Sequence, residues 1–257
     1  MIAHVSDNIK ARYTDESPHP YPLITEDDLA ALPTPVQRYL RYTGVIGKPR
    51  IETVRLQYTG EFRMAANKPW MPMKATQIYT TNPPGFQWTA SFKMGGFPLM
   101  YGKDTYKNGQ GHMFGKLIGL FTIFDVTGEE MIQGSMLRYL QEMIWFPSAF
   151  LNDYIRWQAV DDHCAEVTFT DSDHSVTARL IFDDAGRLIT FIAQRYREDK
   201  GRYLLDTWST PMTEYGRLAG LNLPVVGCGV WQLAGGDLAY IKLHLNEVVY
   251  NEAIEDF

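Results

Sequence analysis

Arg138, Glu142 and Trp145 recur at i, i+4 and i+7 within a stretch dominated by apolar residues, and they are the first place to look for chemistry. On a helix, a guanidinium one turn before a carboxylate forms an ion pair worth about 0.3 kcal/mol at a surface. Arg before Glu is the less favourable order for that pair. On so apolar a segment, partners from outside the helix or a ligand head group are therefore expected. Two readings stay open: a buried structural pair, and a polar anchor inside a cavity. Asp104 shares a strand face with Met100 and Tyr106, and an inward carboxylate there needs a partner. Arg195 and Arg197 share a face with Phe191 and Ala193, with Trp208 on the following strand, so an acid–arginine pair in one concavity is a further option.

Other chemistry is hard to find. There is no GxSxG elbow, no HExxH, no phosphate-binding loop and no GxGxxG after a strand, so no catalytic residue is assigned. The six histidines are scattered. His163 and His174 sit in acidic turns, and the HxxE spacing of His244 and Glu247 places them on opposite faces of a strand, a poor metal site. Cys164 and Cys228 lack ligand spacing, which argues against structural zinc. Half-buried thiols are the expectation, with a single disulfide left open. No cofactor is expected. A net charge of −6 without a basic cluster argues against nucleic acid or an anionic membrane as partner.

The elements that must position these residues are legible from periodicity. Residues 1–24 are polar and proline-spotted and read as an N-terminal arm; residues 25–257 carry no composition break or repeat and read as one domain. Thr25 should cap a short helix, and Thr34 a second one with Pro35 at its first position and Gly44 after its end. Alternation then predicts strands: Val54, Leu56, Tyr58, Phe62 and Met64 on one face, and Phe86, Trp88, Ala90, Phe92 and Met94 likewise. Period two with one wet face marks an antiparallel sheet. Asn108-Gly109 predicts a hairpin between strands near 98–107 and 110–121. Further strands fall between Ile155 and Tyr250, making eleven or twelve.

Between the two sets of strands, Thr127 and Glu130 have capping-box spacing for a helix running to Phe146, before Pro147. Ile132, Met136, Leu140 and Met143 form one stripe, flanked by Leu137 and Ile144 and by Tyr139 and Phe146. Such a helix is buried on nearly all sides, which requires the sheet to wrap around it. The expected fold is α+β, a large curved antiparallel half-barrel around a buried central helix. Gly111, Gly115 and Gly119 share one strand face, which predicts either close approach of the helix or a ligand, or curvature alone. Nine of the eleven methionines lie between Met64 and Met143, a composition suited to an irregular core or an adaptable binding surface. A pocket lined by some of Met94, Met100, Met113, Met136 and Met143 follows as an expectation.

The sequence Arg138-Tyr139-Leu140-x-Glu142-x-x-Trp145-Phe146-Pro147, with Asp183-Asp184-Ala185-Gly186, Arg195-Tyr196-Arg197, Trp208, Tyr215 and Pro224, resembles a bacterial family of unknown function from about Leu32 to Tyr250. That family brings no activity with it. The order of strands, buried helix and strands is similar to the LolA-like lipoprotein-carrier half-barrels, which hold acyl chains between sheet and helices; this likeness is architectural.

Three functions compete. The leading one is a binding module for an apolar or amphipathic small molecule, contacted by Arg138, Glu142, Trp145, Met113 and Met143, with Asp104, Tyr106, Arg195 and Trp208 opposite. The others are a structural or protein-interaction domain, and an enzyme using carboxylates and arginines of the same cavity. An inward Asp104 or Glu142 with a raised pKa would favour the enzyme. Without a signal-peptide pattern or a long apolar run, a cytoplasmic location is expected; an anchored or exported form would need a segment outside this sequence.

Overall fold

A computed structural model describes residues 21–94 and 97–254, with the side chains of Met94, Pro98 and Leu99 left aside. Residues 1–20, most of the expected arm, lie outside the described residues. The end of that arm belongs to the body: Leu23 bridges Pro49, and the Ile24 amide donates to the Lys48 carbonyl. Asp27–Leu29 is a single 3-10 turn, with the Thr25 hydroxyl and amide both donating to Asp28. The first α-helix, α1 (Thr34–Thr43), starts one residue earlier than expected, so Pro33 rather than Thr34 takes the cap position, and it ends at Gly44 in the left-handed region.

Two antiparallel meanders build one sheet. The first comprises β1 (Thr53–Phe62), β2 (Met71–Thr81), β3 (Pro84–Met94), β4 (Phe97–Lys107), β5 (Gln110–Leu117) and β6 (Phe121–Val126). The second comprises β7 (Ile155–Ala159), β8 (Cys164–Asp171), β9 (His174–Phe182), β10 (Leu188–Asp199), β11 (Arg202–Leu218), β12 (Leu221–Gln232) and β13 (Leu238–Tyr250). β1 pairs with β13, Val54 opposite Tyr250, so the spatial order is β6-β5-β4-β3-β2-β1-β13-β12-β11-β10-β9-β8-β7. The two edge strands are consecutive in the chain. Only α2 (Glu129–Glu142) and two 3-10 turns, Met143–Trp145 and Pro147–Leu151, lie between them. This connection has to cross the sheet from edge to edge, and it crosses inside the curve: α2 touches β4 and β5 on one side and β9 and β10 on the other.

That path explains why α2 is apolar around most of its circumference. Ile132, Met136, Leu137, Tyr139, Leu140 and Ile144 are all buried, as the wrapped-sheet expectation required. The ends differ in detail. Gly128, at φ 108°, holds the cap position without a side-chain bond, so Thr127 does not cap; Glu129 and Glu130 instead face the positive end of the helix dipole. The helix stops at Glu142 and tightens into a 3-10 turn, because Pro147 disfavours helical backbone at Phe146.

The described residues contain thirteen strands, not eleven or twelve. β2 was not foreseen, and a further division falls at Ile118-Gly119, both at positive φ, where β5 turns into β6. A β-branched residue rarely adopts that conformation, so Ile118 concealed the turn. The three glycines consequently do three different things. Gly119 is in the turn, and Gly115 faces the Phe124 ring of β6. Only Gly111 meets the helix: a Cβ there would stand 2.7 Å from Ser135 Oγ and 2.8 Å from the Met131 carbonyl oxygen. Gly111→Val should therefore push α2 off the sheet and cost about 1–3 kcal/mol in urea melts; a loss within about 0.3 kcal/mol would mean the helix is free to shift.

A bulge in β13 corrects another expectation. Gln57 pairs with Glu247 but Tyr58 with Leu245, leaving Asn246 extra. The bulge reverses the alternation, so His244, Asn246 and Glu247 are all exposed on the outer face rather than split between faces. His244 pairs with Asn246 and Glu247 with Arg55. Cys164 and Cys228 are both free and half-buried.

Candidate ligand-binding site

The space inside the curve has two ends. At one end the two meanders meet behind α2: the Tyr106 hydroxyl donates to Asp171 at 2.5 Å, and Tyr106 and Phe169 pack edge-on. This part is dry core, and Tyr139, Phe86 and Phe146 fill it. At the other end the meanders part, leaving a cavity of about 610 Å³ between the sheet and one face of the helix. Such a volume is in the range of small-molecule sites. Gly134, Arg138, Gln141, Glu142 and Trp145 form the helix wall, at the three-to-four-residue spacing of a single face. Trp88, Met100, Asp104 and Met113 come from the first meander, and Arg195, Trp208, Thr210 and Trp231 from the second.

Seven of the nine residues singled out from the sequence thus line one cavity, and two do not. Tyr106 is on the inward face as expected, but two residues along β4 from Asp104 it has already passed beneath the helix into the dry end. Met143 is fully buried, as is Met136; the methionine stripe of α2 points away from the polar triplet, and it is the triplet that faces the cavity. Of the methionines expected at a pocket, Met100 and Met113 are there, joined by Met64, Met131 and Met212. The Met94 side chain lies outside the described residues.

Arg138 is the hub of the cavity floor. Its side chain is 14% exposed, while those of Asp104 and Glu142 are 3% and 4% exposed. Nη1 donates to Asp104 Oδ2 at 2.8 Å and Nε to Glu142 Oε1 at 3.0 Å; Nη2 donates to Gln77 Oε1 at 3.0 Å and to the Tyr58 hydroxyl at 3.3 Å. The guanidinium lies 4.8 Å from the Trp88 ring centre and 5.2 Å from that of Phe86. Glu142 Oε2 accepts from Gln77 Nε2 at 2.8 Å and from the Tyr79 hydroxyl at 2.9 Å. The sheet thus supplies the partners that the unfavourable Arg–Glu order called for. Gln77 and Tyr79 went unnoticed in the sequence. A signal existed: Met71, Met73, Ala75, Gln77 and Tyr79 alternate inward along β2, and a glutamine among them has to bond something.

Electrostatics follow from this burial. Burial pushes the Asp104 carboxyl above its ordinary range, with Arg138 pulling it back only in part. Its Oδ1 has no hydrogen-bond partner among the described residues. Burial also pushes the Tyr58 and Tyr79 hydroxyls up, so both stay protonated. For Arg138, burial favours proton loss, but Glu142 and the other neighbours outweigh it and hold the proton more firmly. The floor of the cavity is one cation clamped between two acids.

Residues 22–243 match the family of unknown function DUF6544. The chain belongs to that family. No curated protein matches it. Among solved structures, a DUF1329 family protein from Desulfovibrio piger is similar at TM-score 0.48 and 10% identity, over 88% of this chain and 96% of the other. A LolA superfamily protein from Nitrosomonas europaea is similar at TM-score 0.46 and 9% identity, over 90% and 96%. The motif residues of this DUF6544 protein divide between wall and latch. Arg138, Glu142, Arg195 and Trp208 line the cavity. Tyr139 bonds the Thr80 carbonyl, Tyr215 bonds the Leu188 carbonyl, and Trp145 does both jobs, lining the cavity while its indole donates to the Pro224 carbonyl at 3.0 Å. No helix among the described residues is long and apolar enough to cross a membrane.

Proposed function

We propose that this protein binds an amphipathic small molecule, its apolar body lying between the curved sheet and α2. The observation that carries this reading is the cavity itself: about 610 Å³, with a largely apolar lining that includes five methionines, four tryptophans and three phenylalanines, and with fixed polar groups on its floor. A purely structural domain would have closed this space with side chains, as the far end of the same helix does. The identity of the molecule is left to chemistry, and a cytoplasmic setting, compatible with two unpaired cysteines, remains part of the proposal.

Four of the six tryptophans line the cavity, so a ligand carrying heavy atoms on its chain should quench them. Titrating the protein with methyl 9,10-dibromostearate, an uncharged lipid, should give saturable loss of tryptophan fluorescence at micromolar concentrations. Folded protein whose fluorescence stays flat would remove the apolar-ligand reading.

A second reading rests on Asp104, an inward carboxyl with a raised pKa in a cleft, the setting in which general acids are found. It is the weaker one, because one of its oxygens is already committed to Arg138. In the binding reading, Asp104→Asn leaves quenching by the neutral lipid intact.

A further inference from the structure

We propose that the cavity wall around Arg195 and Trp208, with Thr210 further along β11, is an anion subsite, so that the ligand is an acidic amphiphile, one apolar chain ending in a carboxylate or a phosphate. The inference rests on the apolar-ligand reading and adds the charge of the head group.

Among the described residues, three arginines line the cavity. Arg138 is fully engaged with Asp104, Glu142, Gln77 and Tyr58. Arg197 donates to Asp206 at 2.8 Å, with Asp199 at 3.9 Å. Arg195 is different: among the described residues no carboxylate stands at ion-pair distance from it, and its side chain has no hydrogen-bond acceptor. Its guanidinium lies 4.5 Å from the centre of the Trp208 ring and 6.0 Å from that of Trp231. On the other side it lies over the helix at Gly134, where a Cβ would stand 3.6 Å from Nε and Nη2. The aromatic faces steady its charge but accept none of its five N–H bonds.

The groups beside it repeat the pattern. Trp208 is 3% exposed and Thr210 5% exposed, and neither the Trp208 indole nitrogen nor the Thr210 hydroxyl has a hydrogen-bond partner among the described residues. They stand two apart on β11, on one face, and both residues line the cavity. Arg195 and the indole can only donate, and among the described residues no acceptor serves any of the three groups. An oxyanion supplies the acceptors these donors lack, and a guanidinium fork matches carboxylate and phosphate oxygens two at a time.

The acids that share the cavity do not close the subsite. Glu142 is saturated by Arg138, Gln77 and Tyr79, and Glu198 accepts the Gly201 amide at 2.6 Å. Glu130 lines the cavity without bonding Arg195. Asp104 feels the Arg195 charge but does not bond it: its Oδ2 stays on Arg138, and its burial, which outweighs both arginines, makes it readier to hold a proton, which reduces repulsion of an incoming anion.

Competition against methyl 9,10-dibromostearate tests this directly, with oleate, oleyl phosphate and oleyl alcohol as competitors. In the wild type, one of the two acids should displace the quencher at a concentration about tenfold or more below that needed for the alcohol, the gain expected of a charge-assisted bond. Whichever acid is tighter identifies the head group. Arg195→Met should bring all three competitors within about twofold of one another, while Arg195→Lys keeps an intermediate preference because the charge stays but the fork is lost. Thermal melts establish that the variants are folded; if Arg195→Met is not, Arg195→Lys and Trp208→Phe, which removes the indole donor, carry the comparison. Equal displacement by acids and alcohol in the wild type, or a preference that survives loss of the Arg195 charge, overturns the anion subsite and leaves the apolar-ligand reading standing. If the methyl ester itself does not bind, both fall together.

Discussion

Arg138→Ala is expected to destabilise the protein by about 3–5 kcal/mol, read as a shift in urea midpoint at unchanged slope. An exposed ion pair would lose under about 1 kcal/mol. The difference comes from what the truncation leaves behind. Asp104 and Glu142 would remain side by side, 3% and 4% exposed, with their shared cation gone. Gln77 would lose its guanidinium partner, and the Trp88 and Phe86 faces their cation. Arg138→Lys should recover only part of the loss, since one ammonium cannot reach Asp104, Glu142 and Gln77 in the fork's geometry. Double variants sharpen the result: removing Arg138 together with Asp104 should cost less than the sum of the two single changes, because the second change relieves an unpaired buried charge. A measured loss within about 0.5 kcal/mol for Arg138→Ala would place this helix face in solvent, and the cavity floor with it.

Trp145→Ala should cost a similar amount, about 3–5 kcal/mol. The side chain is buried, its ring packs 6.0 Å from that of Tyr58, and its indole holds the Pro224 carbonyl of β12. Truncation opens a void next to one that already exists, and the neighbouring strands cannot collapse into it without breaking the Arg138 network. Trp145→Phe separates the two contributions. It keeps most of the ring and loses the hydrogen bond, for which a cost nearer 1 kcal/mol is expected. The alanine variant should also accept bulkier quenchers than the wild type, whereas a loss below about 1 kcal/mol with unchanged ligand range would show that Trp145 is peripheral to both core and site.

Several features of the site were legible beforehand for simple reasons. Asp104 and Arg195 could be placed inside because strand alternation has only two choices of face. The need of Arg138 for partners beyond Glu142 followed from helix geometry and from its five donors. Where reading along the chain went astray, a local exception was at work. Ile118 at positive φ hid a turn, and the extra residue at Asn246 reversed the parity that separates His244 from Glu247. Gln77 was missed for a different reason: β2 went unremarked between louder neighbours, and its one inward amide with it.

By itself, the sequence determined the antiparallel sheet, the wrapped helix and the inward set of polar groups, because periodicity records how each element divides between water and protein. It did not determine which inward residues meet each other. Tyr106 and Asp104 share a strand face, and Met143 follows one turn after Arg138 at the end of α2, yet one of each pair lies in dry core and the other on the cavity wall. That division depends on where α2 crosses between the edge strands and where the two meanders part. Only tertiary structure decides it, because packing opposes residues far apart in the chain, and a residue's own periodicity carries no record of what stands across from it.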